Sequence, residues 1–134
     1  MAREGHQALR LDNPAWVLIL GGDGGAGPLA SGEWYDPATR AFSPVANPMG
    51  SPRRDFGAAV LPSGKVLLLG GTADGSTATA TAEVFDPAAG TFTPTGAMGT
   101  PRRGPSVFTL ATGTILVLGG GNGAQGGVAA VETY

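Results

Sequence analysis

The chain has 134 residues and a formal net charge of −2, with 13% charged residues, 24 glycines and no cysteine. The missing cysteine excludes disulfides, thiolate catalysis and cysteine-based metal sites. The absence of any basic block beyond two arginine pairs argues against an electrostatic nucleic-acid or membrane footprint. Apolar residues make up 42% of the chain and recur in runs throughout, so the glycine bias does not read as disorder. The N-terminal "MAREGHQALR" lacks the apolar stretch of a signal peptide, and every apolar run is too short to cross a bilayer. The default expectation is a cytoplasmic chain with no membrane or nucleic-acid partner.

The first predicted elements are strands His6 to Leu11 and Trp16 to Leu20. The second runs into "GGDGGAG", in which Gly22 to Gly27 satisfies G-x-G-x-x-G. A dinucleotide turn of that spelling needs a helix next, so that amides and the helix dipole meet the pyrophosphate. "PLASGEWYDP" follows instead, and no helix fits. The stretch therefore reads as a strand and its loop, as does a second match at Gly121 to Gly126. Strands Gly32 to Tyr35 and Ala41 to Pro44 come next, separated by an Asp-Pro turn in which Asp accepts backbone N–H bonds and Pro sets φ.

From here the pattern starts again. Strands are expected at Gly57 to Leu61, Val66 to Leu69, Thr81 to Phe85 and Thr91 to Pro94, then at Ser106 to Leu110, Thr114 to Leu118 and Ala130 to Tyr134. "LILGG", "LLLGG" and "LVLGG" end at Gly22, Gly71 and Gly120, 49 residues apart both times. "EWYDPATRAF" is echoed by "EVFDPAAGTF", and "PMGSPRR" by "AMGTPRR". The second strands "VLLL" and "ILVL" lack alternation, so burial on both faces is expected. Repeated units of four short strands are the mark of propeller blades.

On these residues the unit resembles the kelch repeat of galactose oxidase-like propellers. The matching features are Gly21-Gly22, Gly70-Gly71 and Gly119-Gly120 after the second strand, and the aromatic pairs Tyr35/Phe42 and Phe85/Phe92. Phe stands at the second aromatic where the family usually has Trp. Tyr134 is the third unit's counterpart of Tyr35. The fold expected is all-β, with kelch-type blades at residues 3–48, 53–97 and 102–134, the third lacking its fourth strand. The resemblance implies closed rings of six or seven blades, so three blades form an open arc with bare end faces. Two readings stay open: a homodimer that closes a ring of about six blades, or a truncated piece of a longer kelch protein.

Strand directions place the Arg-rich and Gly-rich loops on one face, where the third strands also begin. Arg53, Arg54, Arg102 and Arg103 therefore lie near Glu33, Glu83 and Glu132, with Arg3 a weaker equivalent. One reading is an Arg–Glu ion pair repeated in every blade; the other is a ring of guanidiniums for an anionic ligand. Asp23, Asp74 and Asn122 occupy the variable loops of the same face and join the arginines as ligand candidates. The single histidine, His6, and these carboxylates form no catalytic order and no metal-ligating cluster. The copper and Cys–Tyr chemistry of galactose oxidase does not carry over without cysteine. The expectation is a non-catalytic scaffold with no cofactor and no metal, binding itself and an unknown protein or glycan. The alternative is part of a sugar-active propeller enzyme.

Overall fold

In the computed structural model, which describes residues 1–123 and 126–134, the chain folds as three antiparallel sheets in sequence order. The first comprises β1 (Gln7–Arg10), β2 (Val17–Leu20), β3 (Gly32–Asp36) and β4 (Ala41–Pro44). The second comprises β5 (Gly57–Val60), β6 (Val66–Leu69), β7 (Ala82–Asp86) and β8 (Thr91–Thr95). The third comprises β9 (Ser106–Thr109), β10 (Ile115–Leu118) and β11 (Val131–Thr133). Neighbouring strands in each sheet are neighbours in sequence, so every sheet is a plain meander. Among the described residues there is no helix, and hence none long and apolar enough to cross a membrane.

Strand boundaries fall within a residue or two of expectation. The third strands begin one residue later than expected in the second and third units, at Ala82 and Val131. Thr81, the residue left out of the second unit's strand, turns its carbonyl to the neighbouring arginine instead and accepts a hydrogen bond from Arg53 Nη1 at 3.1 Å. The Asp-Pro turns form as read. Asp36 accepts from the Ala38 amide and the Thr39 hydroxyl, and Asp86 from the amides of Ala88 and Ala89. Each turn ends on a residue with positive φ, Gly90 (+66°) in one unit and Arg40 (+58°) in the other.

The sheets meet along their first strands: β1 lies against β5, and β5 against β9. From that edge they fan outward, with side chains filling the wedges between them. The first wedge is closed by Leu18, Leu20, Val45 and Met49 against Phe56, Val66, Leu68 and Phe85. The second is closed by Ala59, Leu67, Leu69 and Met98 against Ile115 and Val117. Strand β6 alternates between these clusters, which is why all four of its residues are buried. Burial on both faces was expected of β10 too, but only Ile115 and Val117 are buried there. Leu116 and Leu118 point to a face that no sheet of this chain covers.

Aromatic residues extend the first wedge outward. Phe85 and Phe92 stack with ring centroids 4.5 Å apart, and Trp34 of the first sheet lies 5.9 Å from Phe85. The equivalent pair in the first sheet, Tyr35 and Phe42, is 4.8 Å apart but faces outward, leaving Phe42 62% exposed.

Candidate functional site

The repeated arginine and glutamate come together in every unit. Arg53 is 1% exposed, with Nε and Nη2 donating to Glu83 Oε1 at 3.3 and 2.8 Å. Its Nη1 donates to the carbonyls of Gly70 and Thr81. Glu83 Oε2 accepts the Gly50 amide at 2.8 Å, which ties the incoming linker to the same carboxylate. Arg102, fully buried, repeats this with Glu132 and the Gly119 carbonyl, while the amides of Gly99 and Thr100 bind Glu132. Arg3 pairs with Glu33 Oε2 at 2.9 Å and donates to the Gly21 and Ser31 carbonyls, with the Met1 amino group on the same carboxylate.

The main chain of the same arginine belongs to the preceding unit. Arg53 N–H donates to the Leu29 carbonyl, and its own carbonyl accepts from Gly22 N–H at 2.8 Å. Arg102 does likewise with Thr79 and Gly71. Each arginine thus stitches one sheet to the next. The paired glycines make room for it. Gly70 and Gly71 have φ of +66° and +89°, and a Cβ on Gly70 would stand 2.5 Å from the Arg102 carbonyl oxygen. No other residue type accepts both the backbone shape and that approach.

Burial of Arg53 and Arg102 therefore replaces the guanidinium ring by internal ion pairs, and leaves neither side chain open to a ligand. The second arginine of each pair does reach the face. Arg54 Nη1 binds Asp23 Oδ2 at 2.9 Å and lies 3.6 Å from Glu4; Arg103 binds Asp55 at 3.1 Å. Acid and base alternate across the three units in one string. Asp55, which no motif singled out, sits at φ +52° where the other units have Gly5 and Gly104. The repeat alignment alone carried that signal: a non-glycine in a glycine column. Trp34 and Met49 were also missed; Met49 and Met98 recur in the quoted linkers, whereas Trp34 has no counterpart.

The loop carboxylates are occupied by their own loops. Asp23 Oδ1 accepts from Gly25 N–H at 2.8 Å and Gly27 N–H at 3.2 Å. Those are amides that a phosphate cradle would need, so the G-x-G-x-x-G loop is closed on its own acid. The Gly25 hydrogen bond, with Arg54 and Gly27, holds the Asp23 pKa below the ordinary value against the opposing effect of burial. Asp74 accepts from Thr77 and Ser76 amides and from the Thr72 hydroxyl, and its pKa is lowered strongly. Asn122 stands at the matching end of the third unit, its Oδ1 buried and without a hydrogen-bond partner among the described residues. The second G-x-G-x-x-G match spans Ala124 and Gln125, which lie outside the described residues.

A shallow cavity of about 470 Å³ opens beside this string, lined by Ala2, Arg3, Glu4, Asp23, Gly24 and Gly25. Among the described residues no three His, Asp or Glu side chains converge to hold a metal ion. His6 lines a different cavity of about 350 Å³, on the outer face of the first sheet, with Met1, Arg3, Ile19, Glu33 and Phe42. The chain matches no model of a known protein family, and no curated protein matches it.

Replacing Glu83 by Ala strands the Arg53 charge in the interior, and stability should fall by about 3–5 kcal/mol. Arg54→Ala at the half-exposed face should cost about 1 kcal/mol or less. Urea unfolding of the two variants checks the contrast.

Acid should act through the same carboxylates. Hydrogen bonds from Arg102 lower the Glu132 pKa despite burial, and for Glu33 the Met1 amine and Arg3 together outweigh a larger burial effect. Both folded-state values lie below the ordinary 4.5. The stabilisation is then complete above the ordinary value and is lost as pH falls through the lowered ones. Thermal melts should show a flat midpoint above pH 4.5 and a fall below it that is shallower in Glu132→Gln; an equally steep fall in that variant would contradict the assignment.

Proposed function

We propose that the chain is a kelch-type β-propeller array that acts as a non-catalytic binding scaffold and completes its ring by association with a second copy. The ligand face is the loop end carrying the string Glu4, Arg54, Asp23, Asp55 and Arg103, and its ligand is a protein or glycan with matching polar groups. The observation that carries the reading is the division of labour among repeated residues. Arg53, Arg102 and Gly70-Gly71 are consumed in building the frame. The loops hung on that frame differ from unit to unit, as "DGGAG" and "TADGS" do. Variable loops on a rigid repeated frame are how binding modules achieve recognition. Asp23, Asp74 and Asp55 on this face are spent on loop amides and arginines, which favours binding over proton transfer.

A glycan array probed with the full chain, alongside a panel of hydrolase and oxidase substrates, tests this. Binding without turnover is expected. Arg103→Glu, a charge reversal within the string, should abolish binding, and Lys65→Ala at the opposite end should leave it unchanged. Turnover that disappears in Asp23→Asn would establish the enzyme reading in its place.

A further inference from the structure

We infer that the uncovered face of the third sheet docks onto the uncovered face of the first sheet of a second copy, repeating between chains the contact made twice within one. This deepens the ring-closing part of the proposed function and rests on it. Three observations identify the occupant of each face.

The first is register. Phe108 lies opposite Leu116, and Leu118 lies opposite Ser106 and Val131, so these apolar side chains share one face of the third sheet. Phe108 is 54% exposed and Val131 59%. Their counterparts one unit earlier are Ala59, Leu67, Leu69 and Ala82, and all four are buried against the third sheet. Counterparts two units earlier include Leu18 and Leu20, buried against the second sheet. A face of this design is covered at both of its other appearances, and by the same thing each time: the opposite face of the next unit.

The second is the opposite face of the first sheet. Val17, Ile19, Tyr35 and Phe42 share it by the same ladder argument. Their counterparts Val66, Leu68, Phe85 and Phe92 line the first wedge. The cavity of about 350 Å³ beside Ile19, Glu33 and Phe42 lies on this face. At the in-chain contact, Leu20 shares one buried cluster with Phe56 and Leu68, the latter the counterpart of Ile19, so Leu118 of a second copy, the counterpart of Leu20, is the side chain placed to fill this face.

The third is the backbone stitch, which gives the contact its polarity. A Cβ on Gly21 would strike the Arg53 carbonyl oxygen and one on Gly70 the Arg102 carbonyl oxygen, but one on Gly119, at φ +62°, meets nothing within 4 Å. Gly22 and Gly71 donate their amides to those arginines, whereas the Gly120 amide has no backbone acceptor among the described residues. At the other end, Arg3 holds its side chain as Arg53 and Arg102 do, yet neither its N–H nor its carbonyl has a backbone partner among the described residues. Arg3 of a second copy supplies what Gly119 and Gly120 lack. Two third sheets meeting face to face could not, since each would bring a glycine pair and no arginine main chain. The contact is therefore head to tail, and two copies close with two such contacts.

Light scattering on the full chain and on face-specific variants tests the proposal. The parent should have twice the 13.3 kDa mass of one chain. Phe42→Arg blocks one face and Phe108→Arg the other; both side chains are exposed, and circular dichroism should be unchanged. Each variant alone should run as a single chain, with the dissociation constant raised roughly thirtyfold or more. Mixed at high concentration, they should recover a two-chain particle, because one contact then joins two unaltered faces. Val131→Lys should behave as Phe108→Arg does. If Phe42→Arg remains associated like the parent, or the mixture stays monomeric, chains associate by another surface and this contact is wrong. A monomeric parent would overturn the ring-closing reading as well.

Discussion

One buried arginine belongs to two sheets at once, and the order of the molecule depends on it. The main chain of Arg53 is hydrogen-bonded into the first unit, while its side chain satisfies two carbonyls and a carboxylate of the second. The planar fork of arginine suits that set of acceptors, and a lysine ammonium, a point charge, could not reach them in the same geometry. A buried ion pair adds little net stability over an apolar replacement, but losing one partner is costly. What the pair specifies is placement: the carbonyl after strand two, the start of strand three and the incoming linker all converge on one charge pair.

Much of this was legible because the repeat displays the same constraint more than once. Glycine pairs at a fixed spacing marked the ends of β2, β6 and β10, and the Asp-Pro steps marked the turns after β3 and β7. Strand direction put the arginines and glutamates on one face, and their pairing was one of the two readings that this allowed. The depth of burial did not, since a charged residue beside a loop ordinarily faces water. What removes it is convergence of strand ends and linker on the side chain, and that is a tertiary fact. For the same reason "ILVL" read as a strand buried twice over: its composition records an intended neighbour, and the third sheet has no such neighbour within this chain. The capture of the Gly25 and Gly27 amides by Asp23 was equally hidden, because a carboxylate at the head of a glycine loop spells a phosphate cradle and a self-closed turn alike.

Frame and face divide along the two arginines of each pair. The first arginine is interior and repeats with its glutamate and with the glycine carbonyl it meets. The second lies in the exposed string, where Glu4 stands in the first unit for Arg54 and Arg103 in the others, and where Asp55 accepts the strain of a left-handed backbone and answers Arg103. Variation along this string thus falls at positions that point away from the wedges. A repeat array can change its recognition surface in this way without disturbing its core.

Coupling between units is the central claim, and cooperative unfolding measures it most directly. Both tryptophans, Trp16 and Trp34, lie in the first unit, so fluorescence follows that unit and its wedge, while far-ultraviolet circular dichroism follows all three sheets. If each arginine locks one sheet to the next, urea curves recorded by the two probes coincide. Separated curves, with the first unit melting apart from the rest, would contradict it.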